Sequence, residues 1–168
     1  ASCGHCEMCR EGRPALCIPA TVANTAGTMM DGSTRLHKDG ERILHHSGVA
    51  AFAEYAVISQ NALVKISKDI PFDQAALFGC AVVTGVGSVV NTADVRPGQS
   101  ISIVGLGGVG LSALLAAIAS GAGRVIAIDI NEDKLKLARQ LGAHEIYNAM
   151  SETCIDDVRA VTNGGTHI

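Results

Sequence analysis

Few short patterns restrict a chain as much as an apolar strand that breaks into glycines, opens a helix and is followed by a second strand ending in an acid. Ile101–Val104 (ISIV) runs directly into Gly105, Gly107 and Gly110 of GLGGVG, LSALLAAIA continues as a helix, and RVIAIDI places Asp129 24 residues after Gly105. A helix N-terminus offers unpaired backbone N–H groups and the positive end of its dipole. Glycines let a phosphate come close to them, so this order predicts a nucleotide-binding turn at Gly105, Gly107, Gly108 and Gly110. Asp129, at the end of the next strand, is placed to accept hydrogen bonds from an adenosine ribose. An ionised carboxylate repels a 2'-phosphate and no Arg follows directly, so the dinucleotide expected is NAD. Lys134, three residues after the N-cap Asn131, is either a ribose contact or a solvated helix lysine.

The elements around this turn alternate. NEDKLKLARQLGA predicts a helix capped by Asn131 and stopped at Gly142, HEIYN a third strand, and Glu152–Thr162 a last helix with Ile155, Val158 and Val161 on one face. GGTHI begins a further strand where the sequence stops. Alternating strands and helices predict an α/β fold with a parallel sheet, here only part of one. Upstream, Asp73 is read as the cap of a short helix ending near Phe78, and Ala51–Ile58 and Leu63–Ile66 as two antiparallel strands joined by SQNA. Ala1 to about Leu44 shows little periodicity and reads as loop.

That loop carries Cys3, Cys6, Cys9 and Cys17, spaced C-x2-C-x2-C-x7-C. Thiolates this close repel one another without a cation, and Zn(II) takes four sulfurs tetrahedrally, leaving no position for substrate. A structural zinc site is the reading. An iron–sulfur cluster expects a shorter last gap followed by Pro, whereas Ile18 follows Cys17. Cys80 and Cys154 stand apart, so the six cysteines do not form a disulfide framework, and reduced thiols point to a cytoplasmic protein. With 48% apolar residues in 168 the chain can bury a core, and a net charge of −3 without a basic run excludes a nucleic-acid surface. Pro97–Gly123 is uncharged over 27 residues but is broken by glycines and serines, so no membrane span is expected there. With no initiator Met, the chain reads as a piece of a longer protein.

The four-cysteine loop taken together with GTMMDGSTR at Gly27–Arg35, FAEYAVI at Phe52–Ile58, GCAVVTGVG at Gly79–Gly87, GLGGVG and the following DIN resembles the zinc-dependent medium-chain alcohol dehydrogenases, near the class I and class III (glutathione-dependent formaldehyde dehydrogenase) branches. The resemblance implies a GroES-like, β-rich catalytic domain ending near residue 80 and a Rossmann-type domain over 81–168. It implies that Cys80, from the residues alone a buried core thiol, is one ligand of a second, catalytic zinc. Thr84 is implied to lie beside the nicotinamide, and Val109 along the pyrophosphate. The remaining catalytic ligands, a Cys and a His, and the Ser or Thr of the proton relay would precede Ala1. The implied activity is hydride transfer between an alcohol, or a hemithioacetal-type adduct, and NAD, in a homo-oligomeric parent, with this piece inactive alone. The competing readings are a zinc- and nucleotide-binding module without chemistry and a zinc-free reductase, against which the intact cysteine loop speaks. Of the six histidines, all expected at the surface or lining a pocket, His45 and His46 are candidate substrate contacts.

Overall fold

The computed structural model describes residues 2–168, and the chain forms two compact units, Ala1–Ser67 and Lys68–Ile168. The junction lies upstream of the 80/81 boundary drawn from the sequence. Residues 68–80 lead into a helical run that packs within the second unit.

In the first unit, α1 (Glu7–Arg10) and α2 (Ile18–Ala26) frame the cysteines. Pro19 sits in the first turn of α2, where its missing N–H costs nothing. Gly27, at φ +64°, ends the helix: its N–H donates to Asn24 O and that of Thr28 to Ala23 O, the paired bonds of a left-handed C-terminal cap. A short antiparallel hairpin follows, β1 (Leu36–Lys38) on β2 (Glu41–Ile43), turning at Asp39 and Gly40 with both φ values positive. The loop expected over 1–44 therefore contains two helices and a hairpin.

The two strands expected at 51–58 and 63–66 do not form. The segment holds only bends and one 3-10 turn, Gln60–Ala62, with Phe52, Tyr55 and Val64 almost fully exposed. An alternating pattern becomes a strand only against a neighbouring strand, and among the described residues none lies alongside.

In the second unit a continuous helical run, Phe72–Thr92, is built from α3 (Phe72–Leu77), a π-helical stretch, α4 (Val83–Gly87) and a second π-helical stretch. Asp73 does not cap it, because Pro71 occupies the cap position and Asp73 lies inside the first turn. By length and composition alone this run could cross a membrane, with a mean hydropathy of 1.6. In the structure its Gly85 and Val89 are buried against α5 (Gly108–Ala119). The Pro97–Gly123 segment folds as β3 (Ser100–Val104), the glycine turn and α5.

The sheet is parallel, ordered β3, β4 (Arg124–Asp129), β5 (Glu145–Asn148), with Ser100 opposite Arg124 and Ile126 opposite Glu145. Its strands alternate in what they bury. Val125 and Ala127 join the core formed with α5, α6 (Glu132–Gln140) and Val89, while Ile126 and Ile128 pack on the other face against Cys154, Val158 and Val161 of α7 (Cys154–Val161). Burying a side chain of this size contributes about 1.5–3 kcal/mol, and Val125 and Ile126 are wholly buried. The inward stripe of α7 is Cys154, Val158 and Val161, so Ile155, expected on it, faces outward. Beyond α7 the His167 N–H donates to Ser100 O and the Ser102 N–H to Ile168 O, so the last residues begin to pair along the free edge of β3.

Candidate metal and cofactor sites

Around Cys3, turns at Gly4 (φ +79°) and the start of α1 curl the chain so that Cys3, Cys6, Cys9 and Cys17 converge. All four Sγ atoms lie within 4.8 Å of one another, with Cys3 to Cys9 at 4.0 Å and Cys6 to Cys17 at 3.9 Å. A tetrahedron with Zn–S bonds of about 2.3 Å has sulfurs about 3.8 Å apart, so the donor set fits a single Zn(II). None of these thiols is in a disulfide. Backbone N–H groups face the sulfurs: Cys3 donates to Cys17 Sγ at 3.2 Å, and Cys6 and His5 donate to Cys3 Sγ at 3.3 and 3.5 Å. The thiols therefore divide their charge. Donation from the His5 N–H, ahead of that from Cys6, pulls Cys3 down to about 6, while desolvation pushes Cys9 up to about 11.

In the second unit the glycine turn occupies the C-terminal end of β3. Gly105 has φ +89°, and its N–H donates to Ile128 O at 2.8 Å, carrying the β-ladder one residue past the strand. Gly110 lies so close to the turn that a methyl group there would overlap the Gly105 carbonyl oxygen and sit 2.9 Å from its carbon. Gly107 has open space where a side chain would be. A cleft of ≈ 570 Å³ runs along Gly105, Gly107, Gly108, Val109 and Gly110. At the end of β4, Asp129 is buried. Its Oδ2 accepts the Leu106 N–H at 2.6 Å and its Oδ1 the Asn131 N–H at 2.9 Å. Donation from Leu106 first, then Asn131, with the charge of Lys134 adding to it, holds the carboxyl below the usual range against the opposing effect of burial. Asn131 in turn caps α6, accepting from the Asp133 and Lys134 N–H groups.

The structure thus gathers Gly105, Gly107, Gly108, Val109, Gly110, Asp129 and Lys134 at one end of the sheet. Thr84 is exposed on the helical run and does not line that cleft. Cys80 is exposed in the first π-helical stretch, and among the described residues the four-cysteine cluster is the only group of three or more His, Cys, Asp or Glu arranged to hold a metal. Its expectation as a buried core thiol does not hold.

Three features escaped the sequence. Gly85 is buried because a Cβ there would fall 2.6 Å from Ser112 Cβ and 2.8 Å from Ala113 N, so its missing side chain lets the helical run lie against α5. Leu106 contributes a backbone donor, for which a side-chain motif carries no signal. His45 is buried, not a surface or pocket residue: its Nε2 accepts the Arg35 N–H at 3.1 Å, which leaves the proton on Nδ1, a buried atom without a partner. His144 and His167 also accept backbone N–H groups, from Val125 and Ser100.

A parallel βαβαβ sheet with a glycine turn and a buried acid at the next strand end, following a unit organised on four cysteines, defines a Rossmann-type α/β protein with a candidate metal centre. The model of the zinc-binding dehydrogenase family matches residues 108–168. S-(Hydroxymethyl)glutathione dehydrogenases of Escherichia coli O1:K1 / APEC and of Synechocystis sp. are 42% and 41% identical over 148 residues, 88% of this chain and 40% of theirs. An alcohol dehydrogenase zinc-binding domain protein from Burkholderia ambifaria superposes with a TM-score of 0.88 at 36% identity, and benzyl alcohol dehydrogenase from Acinetobacter calcoaceticus with 0.80 at 36%. Each of these comparisons covers 99% of this chain and 45% of the other. Along nearly its whole length the chain is similar to zinc-dependent alcohol dehydrogenases. It spans 40% of the length of the curated relatives it matches.

Proposed function

We propose that the protein containing this chain oxidises an alcohol to a carbonyl with NAD, using one zinc for structure and one for chemistry. The observation that carries the reading is the joining, in one chain, of a zinc-sized sulfur cluster to a glycine turn whose neighbouring strand ends in a buried, ionised Asp129. In this assignment Cys3, Cys6, Cys9 and Cys17 hold the structural zinc. Gly105, Gly107, Gly108, Val109 and Gly110 receive the pyrophosphate, Asp129 and Lys134 meet the adenosine ribose, Thr84 borders the nicotinamide, and Cys80 supplies one sulfur to the catalytic zinc. When bound, that zinc supplies Lewis-acid polarisation of the substrate oxygen, and the nicotinamide supplies the hydride acceptor.

What the chain's own residues do is bind and orient. The N–H groups at the start of α5 offer donors to the phosphates, and the open space at Gly107 admits them closely. The negative charge on Asp129 favours ribose hydroxyls over a 2'-phosphate. We further assign residues 1–80 to a GroES-like catalytic domain and 81–168 to the dinucleotide domain, in a cytoplasmic homo-oligomer. The substrate is a small alcohol or aldehyde. The name shared by the 42%-identical relatives favours the glutathione adduct of formaldehyde over a free alcohol.

The test is an NAD-linked assay on the full-length protein with metal analysis, comparing formaldehyde plus glutathione with benzyl alcohol. Two zincs per chain are expected, and Cys80→Ala should lose turnover and one zinc while the four-cysteine site keeps its own. Full activity in the Cys80 variant would remove the catalytic assignment.

A further inference from the structure

Asp129 is doubly engaged before any dinucleotide is considered. One carboxylate oxygen takes the N–H of Leu106, the residue between the first two glycines, and the other takes that of Asn131, the cap of α6. Just before it, Ile128 O takes the Gly105 N–H. Two successive acceptors at the end of β4 therefore pin two successive donors of the glycine turn, and the same carboxylate pins the turn that follows β4. Its burial, and the Leu106 side chain locked in the core at 1% exposure, leave water little access to these bonds. A carboxylate offers about four lone-pair sites. Two are taken by the chain itself, and the remainder are what a ribose diol can use.

We propose that Asp129 is the positioning residue of the phosphate-binding turn: it sets the backbone between Gly105 and Gly107 in the absence of ligand, and so couples the shape of that turn to the sugar that the dinucleotide presents. This rests on the dinucleotide reading for its use but not for its existence. A 2'-phosphate approaching Asp129 meets more than charge repulsion. To be accommodated it must displace the carboxylate, and the Leu106 N–H loses its acceptor with it. Rejection of the phosphorylated dinucleotide then includes loss of the turn that would hold its pyrophosphate.

Residue-resolved amide hydrogen exchange on the full-length protein, with no dinucleotide present, tests this. In Asp129→Ala the Leu106 and Asn131 amides should exchange about tenfold faster or more, while Val125 and Ile126 in the middle of β4 keep their protection. Asn has a single acceptor oxygen for two donors, so Asp129→Asn should free one of the two amides. Unchanged Leu106 and Asn131 exchange in both variants overturns the proposal. If both variants also lose protection in β4, the wild-type Leu106 amide proton shift decides. It should move as acid protonates the carboxylate below the usual range, and a shift that stays constant through that titration overturns the proposal. A protein that passes these tests yet binds no NAD refutes the function and leaves the positioning role standing.

Discussion

The three glycines of GLGGVG carry distinct burdens, and alanine at each should fail in a different way. At Gly110 the obstacle is backbone. A Cβ there overlaps the Gly105 carbonyl oxygen and stands 2.9 Å from its carbon, against about 3.5 Å for an ordinary carbon contact; the oxygen is the nearer obstacle, so α5 must retreat from β3 by well over the roughly 0.6 Å that the carbon alone would require. The turn cannot yield instead, since Gly105 and Leu106 are bonded to the end of β4. Moving α5 disturbs Ala113, Leu114, Ala116 and Ala117, all in the core, so Gly110→Ala belongs at the upper end of overpacking costs, about 3 kcal/mol. At roughly 2–4 °C per kcal/mol for a chain of this size, the melting temperature should fall by about 6–12 °C. Gly105→Ala meets no neighbour but must hold φ +89°, costing about 1–2 kcal/mol. Gly107→Ala has φ −76° and empty space, so stability should stay within about 0.5 kcal/mol. Its methyl instead occupies the approach of a pyrophosphate and should weaken NAD binding about tenfold or more. Thermal denaturation followed by circular dichroism, with calorimetric NAD titration, separates the three. If Gly107→Ala destabilises as much as Gly110→Ala, or Gly110→Ala melts with the wild type, this account of the motif is wrong.

Zinc content should fall by one ion per chain in Cys17→Ser, and an unchanged stoichiometry would refute the four-sulfur site. Because Cys9 is pushed up to about 11, the metal must displace its proton near neutrality. Zinc affinity measured against a chromophoric chelator should therefore rise with pH, by about tenfold per unit for each proton displaced. Asp129 adds a pH dependence of the same sign, at lower pH. Its carboxyl is held below the usual value of 3.8, so its contribution to stability is complete above about pH 4 and is lost as pH falls through the lower folded value. Acid unfolding of Asp129→Asn should accordingly be less steep than that of the wild type, and superimposable curves would contradict it. His45→Ala leaves the Arg35 N–H without its acceptor and opens a cavity, for about 2–4 kcal/mol in urea unfolding, and His45→Gln should recover part of that through its amide oxygen. His46→Ala, at an exposed neighbour, should stay within about 0.5 kcal/mol.

The sheet unit was readable because its determinants are local and mutually consistent. The apolar strands, the glycine turn, the Asn131 cap and the stop at Gly142 each act within a few residues, and all specify one parallel βαβαβ order. The four cysteines were readable because metal chemistry depends on spacing. Where the determinant lies in another segment, the pattern misled or said nothing. Asp39-Gly40 does announce a hairpin, yet β1 and β2 are three residues each, too short for alternation to register. Residues 51–66 alternate like strands but find no neighbour among the described residues. Ile155 follows the helical spacing of Val158 yet points outward, because α7 turns Cys154 inward first. Gly85 resembles any helix glycine until α5 is laid against it. Asp129 is the instructive case. Its position after the second strand marks it for a ribose, but its hydrogen bond to Leu106 joins residues 23 apart through a backbone group, which no residue type can advertise. The motif names the ligand's side of the carboxylate, and the fold reveals the protein's side. If the same group serves both, substitutions meant only to change the sugar preference at Asp129 will also change the phosphate turn.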